Sequence, residues 1–222
     1  MDGVGAVIAL LSPRPAEIAL LGAHCDDIPI GMGATLLSLT SAHPGMRVRA
    51  LVLSGAGTER EREERAALTA FCSGRTPELT VLDVPDGRAP AHWDRIKTAV
   101  AEFRRAGEPD LVFAPQPGDA HQDHRTLAEL VPTEFRDHLI LGYEILKAEV
   151  DTPAPTVFHP VDAQLVQRKS RLLHRYYPSQ TGRDWFDETA FLATARIRGV
   201  QCRTEYAEAF VVDKAVISWE KE

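Results

Sequence analysis

Residues 20–36 read LLGAHCDDIPIGMGATL. An apolar run that opens at Ile18 and passes through Leu20 and Leu21 stops on His24, Cys25, Asp26 and Asp27, after which small residues and glycine resume. Short all-apolar runs of this kind suit strands buried on both faces of a parallel sheet. Further runs of the same type stand at 48–53, 79–84, 111–114 and 139–146, with a late one at 209–212. Between them, helical periodicity is expected over 33–42, 59–71, 93–105, 124–135, 163–176 and 189–198. Alternation of the two patterns is the signature of βαβ units, so the expected class is α/β with a parallel sheet covered on both sides.

The 222 residues, 44% of them hydrophobic, suffice for one α/β domain with a sizeable core, and a single domain over 1–222 is expected. Prolines and glycines at 85–90, 115–118 and 153–160 mark joints, none long enough for an interdomain linker. A formal net charge of -7 and a pI near 5.6 exclude the broad basic footprint that nucleic acid or an anionic membrane surface demands. Cys25, Cys72 and Cys202 contain no C-x-x-C pair, which argues against a disulfide framework or a cysteine-rich zinc site and fits a reducing cytoplasm. No signal-peptide pattern opens the chain, and no apolar run approaches the ~20 residues that span a membrane.

Ligands of open α/β sheets gather beyond the carboxyl ends of the strands. Two such places carry chemistry. The first is His24-Cys25-Asp26-Asp27; the second, after PDLVFAPQ, is Gly118-Asp119-Ala120-His121-Gln122-Asp123-His124. His121 and His124 are three apart at an expected helix start and share a face. Two imidazoles and a carboxylate meeting over one point suit a catalytic zinc site, which uses three protein ligands and keeps a fourth position open. Zinc lowers the pKa of water from 15.7 toward about 7, and a second carboxylate nearby can act as general base. One aspartate of the pair would then bind metal and the other face the water, while Asp123 could orient a histidine. Alone, an Asp-Asp pair is a common helix cap and H-x-x-H a common surface pair; together at two strand ends they point to a metal. His43, His92, His138, His159 and His174 lack such partners and read as structural. Gly31-Met32-Gly33 is an incomplete dinucleotide fingerprint behind acidic residues, and its expected job is close packing of the first helix.

These motifs resemble the PIG-L/LmbE family of zinc-dependent de-N-acetylases, whose first motif is typically A-H-P-D-D and whose second is H-x-D-H. Here they stand as Ala23-His24-Cys25-Asp26-Asp27 and His121-Gln122-Asp123-His124. The likeness extends to PDLVFAP, Arg60-x-x-Glu63, Tyr143-Glu144, the stretch from Lys169 to Gln180, and Glu205 to Phe210. It implies an LmbE-like, Rossmann-like three-layer α/β sandwich with a mostly parallel central sheet. It further implies that His24, Asp27 and His124 hold zinc or another divalent ion and that Asp26 is the general base. His121 would stabilise the oxyanion or protonate the leaving amine, with Asp123 behind it, and Arg60 is a candidate for positioning substrate. The implied partner is a small N-acetylated amino sugar or N-acetylglucosaminyl-type glycoside, of the kind met in antibiotic, thiol or glycoconjugate pathways. The alternatives are a metal-dependent hydrolase of another amide or ester, and a non-catalytic sugar- or nucleotide-binding module. Two departures stand out: Cys25 replaces the usual proline, and Pro29 stands where glutamate is common. An extended backbone would turn Cys25 away from His24 and Asp26, leaving it to pack. Ser179, Gln180 and Glu208 could brace loops; the acetylated substrate and the oligomeric state have no legible code.

Overall fold

The computed structural model describes residues 14–216. Strand β1 (Glu17–Gly22) is buried along its whole length. Its side chains alternate between two cores: Ile18 and Leu20 belong to one, Ala19 and Leu21 to the other. That period of two is what a strand covered on both faces requires. The chain continues through α1 (Asp27–Ala42), β2 (Arg47–Val52), α2 (Glu59–Phe71), β3 (Glu78–Val81) and α3 (Trp93–Arg105). It then forms β4 (Leu111–Pro115), α4 (Gln122–Glu134), β5 (Ile140–Tyr143), β6 (Val157–Val161), α5 (Ala163–Tyr176), α6 (Glu188–Cys202) and β7 (Tyr206–Val211). The seven strands form one sheet in the order β3-β2-β1-β4-β5-β7-β6. Leu36 of α1, Phe71 of α2 and Leu173 of α5 pack on one face; Ile96 and Val100 of α3 and Leu127 of α4 pack on the other. The three layers and the mostly parallel sheet are as expected.

The first five strands run parallel, and β1 pairs with both β2 and β4. The chain thus winds outward from β1 in one direction, returns, and winds outward in the other. The point of reversal lies between the carboxyl ends of β1 and β4, where such sheets open a crevice. His24 follows β1 and His121 follows β4, so the topology alone brings the two motifs to one place.

Three features differ from the sequence expectations. β7 is antiparallel to β5, and β6 pairs antiparallel to β7. β6 occupies a stretch read as a proline-rich joint; as an edge strand it tolerates Pro160, whose missing N–H would break an interior ladder. The first helix begins at Asp27, not at residue 33, but its backbone leaves the helical region at Met32, with φ −140° and ψ 21°. Both ends of that break are capped from elsewhere. Lys169 Nζ donates to Ile30 O at 2.6 Å, and the Glu208 carboxylate accepts from Ala34 N at 3.0 Å and Thr35 N at 2.6 Å. Lys169 and Glu208 also pair at 2.7 Å in the interior. Glu208 therefore braces the helix behind the first motif, which accounts for buried charges that would otherwise be costly. The glycines flanking Met32 pack closely, as expected: a Cβ at Gly33 would stand 2.7 Å from Phe71, and one at Gly31 would overlap the Tyr143 ring.

Candidate metal centre

Asp27 opens α1 and turns back on its own strand end. Its Oδ2 accepts from Ala23 N at 2.9 Å and His24 N at 2.8 Å, which satisfies one oxygen and leaves Oδ1 for other work. Oδ1 lies 3.3 Å from His124 Nε2, His124 Nε2 lies 3.0 Å from His24 Nδ1, and His24 Nδ1 lies 3.7 Å from Asp27 Oδ2. Donors at 2.0–2.1 Å from a tetrahedral zinc stand about 3.3 Å apart, so the two edges that meet at His124 Nε2 have the spacing of ligands to one ion, while the 3.7 Å contact to His24 is made by the other Asp27 oxygen, Oδ2. The ring nitrogens of His24, His121 and His124 also converge, within 4.8 Å of one another. Burial opposes protonation of His24 and His124, yet the Asp27 carboxylate beside both raises their pKa values, that of His124 to about 9. The field that would place protons on both imidazoles equally favours a divalent cation in their place.

The outer contacts are carboxylates. Asp123 accepts from Gly87 N at 2.7 Å and Ala89 N at 2.9 Å, and its Oδ2 stands 3.2 Å from His24 Nε2. Asp86, in the turn after β3, reaches the same nitrogen at 3.1 Å. Asp119 lies 3.0 Å from His124 Nδ1, accepts from His121 N at 2.8 Å, and is met by Lys147 Nζ at 2.9 Å. The Asp123 carboxylate thus orients His24, and its relation to His121 differs from the expected one. Only the Asp123 backbone N–H reaches His121, donating to Nδ1 at 3.3 Å. With Nδ1 accepting, a neutral His121 carries its proton on Nε2. Burial and the two neighbouring imidazoles keep the His121 pKa below its ordinary value.

Asp26, adjacent to Asp27, has a different environment. Its φ of 122° is rare for a residue with a side chain and marks local strain at the start of α1. Its Oδ2 accepts from Arg60 Nη2 at 2.6 Å. Burial raises its pKa while Arg60 works in the opposite direction. Arg60 is no stray surface ion pair: it also donates to the Cys25 carbonyl, to Glu63 at 2.6 Å and to Ser179 Oγ at 3.0 Å. Glu63 in turn accepts from Ser179 N at 2.9 Å, locking the turn after α5 to α2. Deeper still, Tyr177 donates to Glu64 Oε2 at 2.5 Å, and burial pushes the Glu64 carboxyl up to about 8.

The strand does not remain extended through residue 26, yet Cys25 still turns away from the donors. It is buried, and its Sγ lies 3.3 Å from Ser54 O. No acceptor meets its amide N–H among the described residues, so a proline there would forfeit no hydrogen bond. Burial drives the thiol pKa well up, which makes it a poor nucleophile. Cys25→Ser is therefore expected to keep its metal content and to hold kcat/KM within about tenfold, or ~1.4 kcal/mol. Loss of metal, or rapid alkylation of Cys25 that substrate prevents, would assign the thiol a chemical part.

All seven site residues expected from the sequence lie in or directly behind one cleft of about 460 Å³, with Asp123 behind. Asp86, Asp119 and Lys147 had no expected role. Asp119 stood inside the second motif, where a polar residue past a strand end was a signal; Asp86 sits in a Pro-Asp-Gly sequence that reads simply as a turn.

A profile for the PIG-L family, described as GlcNAc-PI de-N-acetylase, matches residues 19–134, and the chain belongs to this family. Both motifs fall inside the match. A relative from Escherichia coli strain K12, the uncharacterized deacetylase YaiS, is 31% identical over 150 residues, covering 61% of this chain and 78% of that protein. Among solved structures, the N,N'-diacetylchitobiose deacetylase of Pyrococcus horikoshii superposes with a TM-score of 0.70 at 20% identity, over 89% of this chain and 84% of that one. GalB, the 4-carboxy-2-hydroxymuconate hydratase of Pseudomonas putida KT2440, superposes with a TM-score of 0.67 at 14% identity, over 93% of this chain and 99% of that one. Such distant likenesses establish the fold, which evidently carries more than one chemistry. No helix among the described residues is long and apolar enough to cross a membrane.

Proposed function

We propose that this chain is a single-domain, zinc-dependent hydrolase that removes an N-acetyl group from an amino sugar or an N-acetylglucosaminyl-type glycoside. The observation that carries the reading is the His24–Asp27–His124 triangle at the reversal point of the sheet, with a second carboxylate next to it. His24 Nδ1, the Asp27 carboxylate and His124 Nε2 would hold the ion. Bound there, zinc supplies Lewis acidity and a lowered pKa for water.

Asp26 takes the part of general base. Arg60 occupies its Oδ2, while Oδ1 has no partner among the described residues and can receive the proton of the attacking water. Burial raises the Asp26 pKa toward neutrality, which improves a carboxylate as a base near pH 7. His121 lines the cleft, and with Nδ1 accepting from Asp123 N its Nε2–H is the donor available to the oxyanion that develops from the acetyl carbonyl. Being neutral, it serves as a hydrogen-bond donor and not as the acid. The proton that the departing amine requires then returns from Asp26. Asp123 and Asp119 orient His24 and His124, the usual work of carboxylates behind metal-binding imidazoles. Arg60 positions Asp26 and lines the cleft, where it can also meet sugar hydroxyls.

The amino-sugar part rests on family membership, since no local geometry encodes it. A panel of N-acetylglucosaminyl compounds tests it, with acetate and free amine measured together. The expected result is equal acetate and amine from at least one compound with zinc-loaded protein, and none after strong chelation. Release from simple esters or other amides alone would favour the broader metal-hydrolase reading.

A further inference from the structure

Of the outer residues around the centre, Lys147 is the unexpected one, because a cation close to a cation site opposes what the site is built to bind. Its ammonium is spent inside the protein. Nζ donates to Asp119 Oδ2 at 2.9 Å, to Asp151 Oδ2 at 2.5 Å and to Ile145 O at 3.3 Å, and the side chain is only 10% exposed. With all three of its donors engaged, Lys147 has none left for a substrate.

Asp119 divides its two oxygens. Oδ1 serves the second motif, standing 3.0 Å from His124 Nδ1 and accepting from His121 N at 2.8 Å, whereas Oδ2 serves Lys147. The Asp119 side chain is fully buried, so among the described residues these groups answer its charge. Facing His124 without Lys147, a buried carboxylate would pull on the Nδ1–H with its full charge, and an imidazole polarised in that way donates more strongly to its metal. Lys147 on the opposite oxygen counters the pull. His124 keeps its orienting partner while the added basicity is held down.

The fold secures Lys147 from both sides. Arg198 binds Glu144 through both carboxylate oxygens, at 2.7 and 2.6 Å, and also reaches Pro153 O at 3.2 Å, which pins the two feet of the β5–β6 connection. Between them, Asp151 accepts from Ala120 N at 2.7 Å, so the connection is tied down over the second motif itself.

We propose that Lys147 is a positioning residue that acts through Asp119: its charge tempers the donation of His124 to the metal, preserving the Lewis acidity that turnover needs and weakening metal binding as a result. Only the kinetic part of the proposal rests on the deacetylase reading above. The test begins with Lys147→Met, which removes the charge and keeps the length. Its zinc affinity, by competition against a chelator, should rise by about tenfold, the order expected when one unit charge is taken from the surroundings of a dication. Its kcat for acetate release should fall by about 10- to 100-fold with KM little changed. Lys147→Arg should return both toward the parent values. Asp151→Asn, which leaves Asp119 paired with Lys147 and keeps an acceptor for Ala120 N, should alter both little.

A mere clamp behaves differently, because losing it loosens the site. Weaker zinc binding in Lys147→Met, unchanged affinity, or tighter binding at unchanged kcat would each overturn the proposal. If circular dichroism shows that Lys147→Met folds poorly, Asp119→Asn/Lys147→Met removes the buried pair together. That double variant should bind zinc more tightly than Asp119→Asn alone, and equal or weaker binding would likewise overturn the proposal. If zinc affinity rises in Lys147→Met while neither it nor the parent releases acetate from any N-acetylglucosaminyl compound, the tempering of the site stands and the deacetylase reading falls.

Discussion

Zinc affinity should collapse in His124→Ala. A tetrahedral site with three protein ligands does not survive as a pair, so the loss should exceed the 10- to 100-fold that removal of an outer-shell partner costs. Asp119→Asn supplies the comparison: it leaves all three donors and removes the charge behind His124 Nδ1, together with its pairing to Lys147, so a drop of about 10- to 100-fold is expected. The parent protein should bind about one zinc per chain and lose turnover with a strong chelator. The pH dependence has a definite sign. His124 has its pKa raised to about 9, and that of His24 is raised as well, so below pH 9 zinc must displace at least one proton. Affinity should therefore fall on acidification, by about tenfold per pH unit for each proton displaced. Competition against a chelator of known affinity at several pH values reads both effects. Full zinc occupancy in His124→Ala, with the fold intact by circular dichroism, would remove His124 from the ligand set.

The parallel strands and both motifs were legible because burial on two faces leaves an uninterrupted apolar run, and because motif residues sit where such runs stop. The break at Met32 was only half legible. Gly31 and Gly33 weaken a helix there, but the partners that cap it, Lys169 and Glu208, lie far along the chain, and only the fold brings them to Ile30 and Thr35. β6 was hidden by Pro160 and by Pro153 and Pro155 just before it, since composition does not say whether a strand will be central or at an edge. The outer contacts followed the same rule. A motif can be read because its members are close in sequence; Asp86 meets His24, and Lys147 meets Asp119, only through the winding of the sheet. Asp123 illustrates the limit within a motif: its spacing from His121 pointed to a pair, whereas its carboxylate turns instead to His24 and to two amides of the neighbouring turn.

Asp26→Asn should retain zinc and lose turnover, by about two to four orders of magnitude in kcat, the usual contribution of general acid–base catalysis. In free energy that is about 3–5.5 kcal/mol of lost transition-state stabilisation. The adjacent aspartates separate because their oxygens are engaged differently. Asp27 is held by two backbone amides and faces His124, whereas Asp26 meets none of the three imidazoles and is held by Arg60. Asparagine keeps the shape of the side chain and an oxygen for Arg60, so the positive φ at residue 26 and the Arg60–Glu63–Ser179 clasp should persist. What it removes is the capacity to take a proton and return it. KM should accordingly change little, since substrate binding does not use that proton. Asp27→Ala should do the reverse, weakening zinc first and losing turnover as a consequence. Measured side by side, zinc stoichiometry and kcat for the two variants assign the two carboxylates. An Asp26→Asn protein with near-normal kcat, or one that loses its zinc, would transfer the base or the ligand to another residue and end the mechanism in this form.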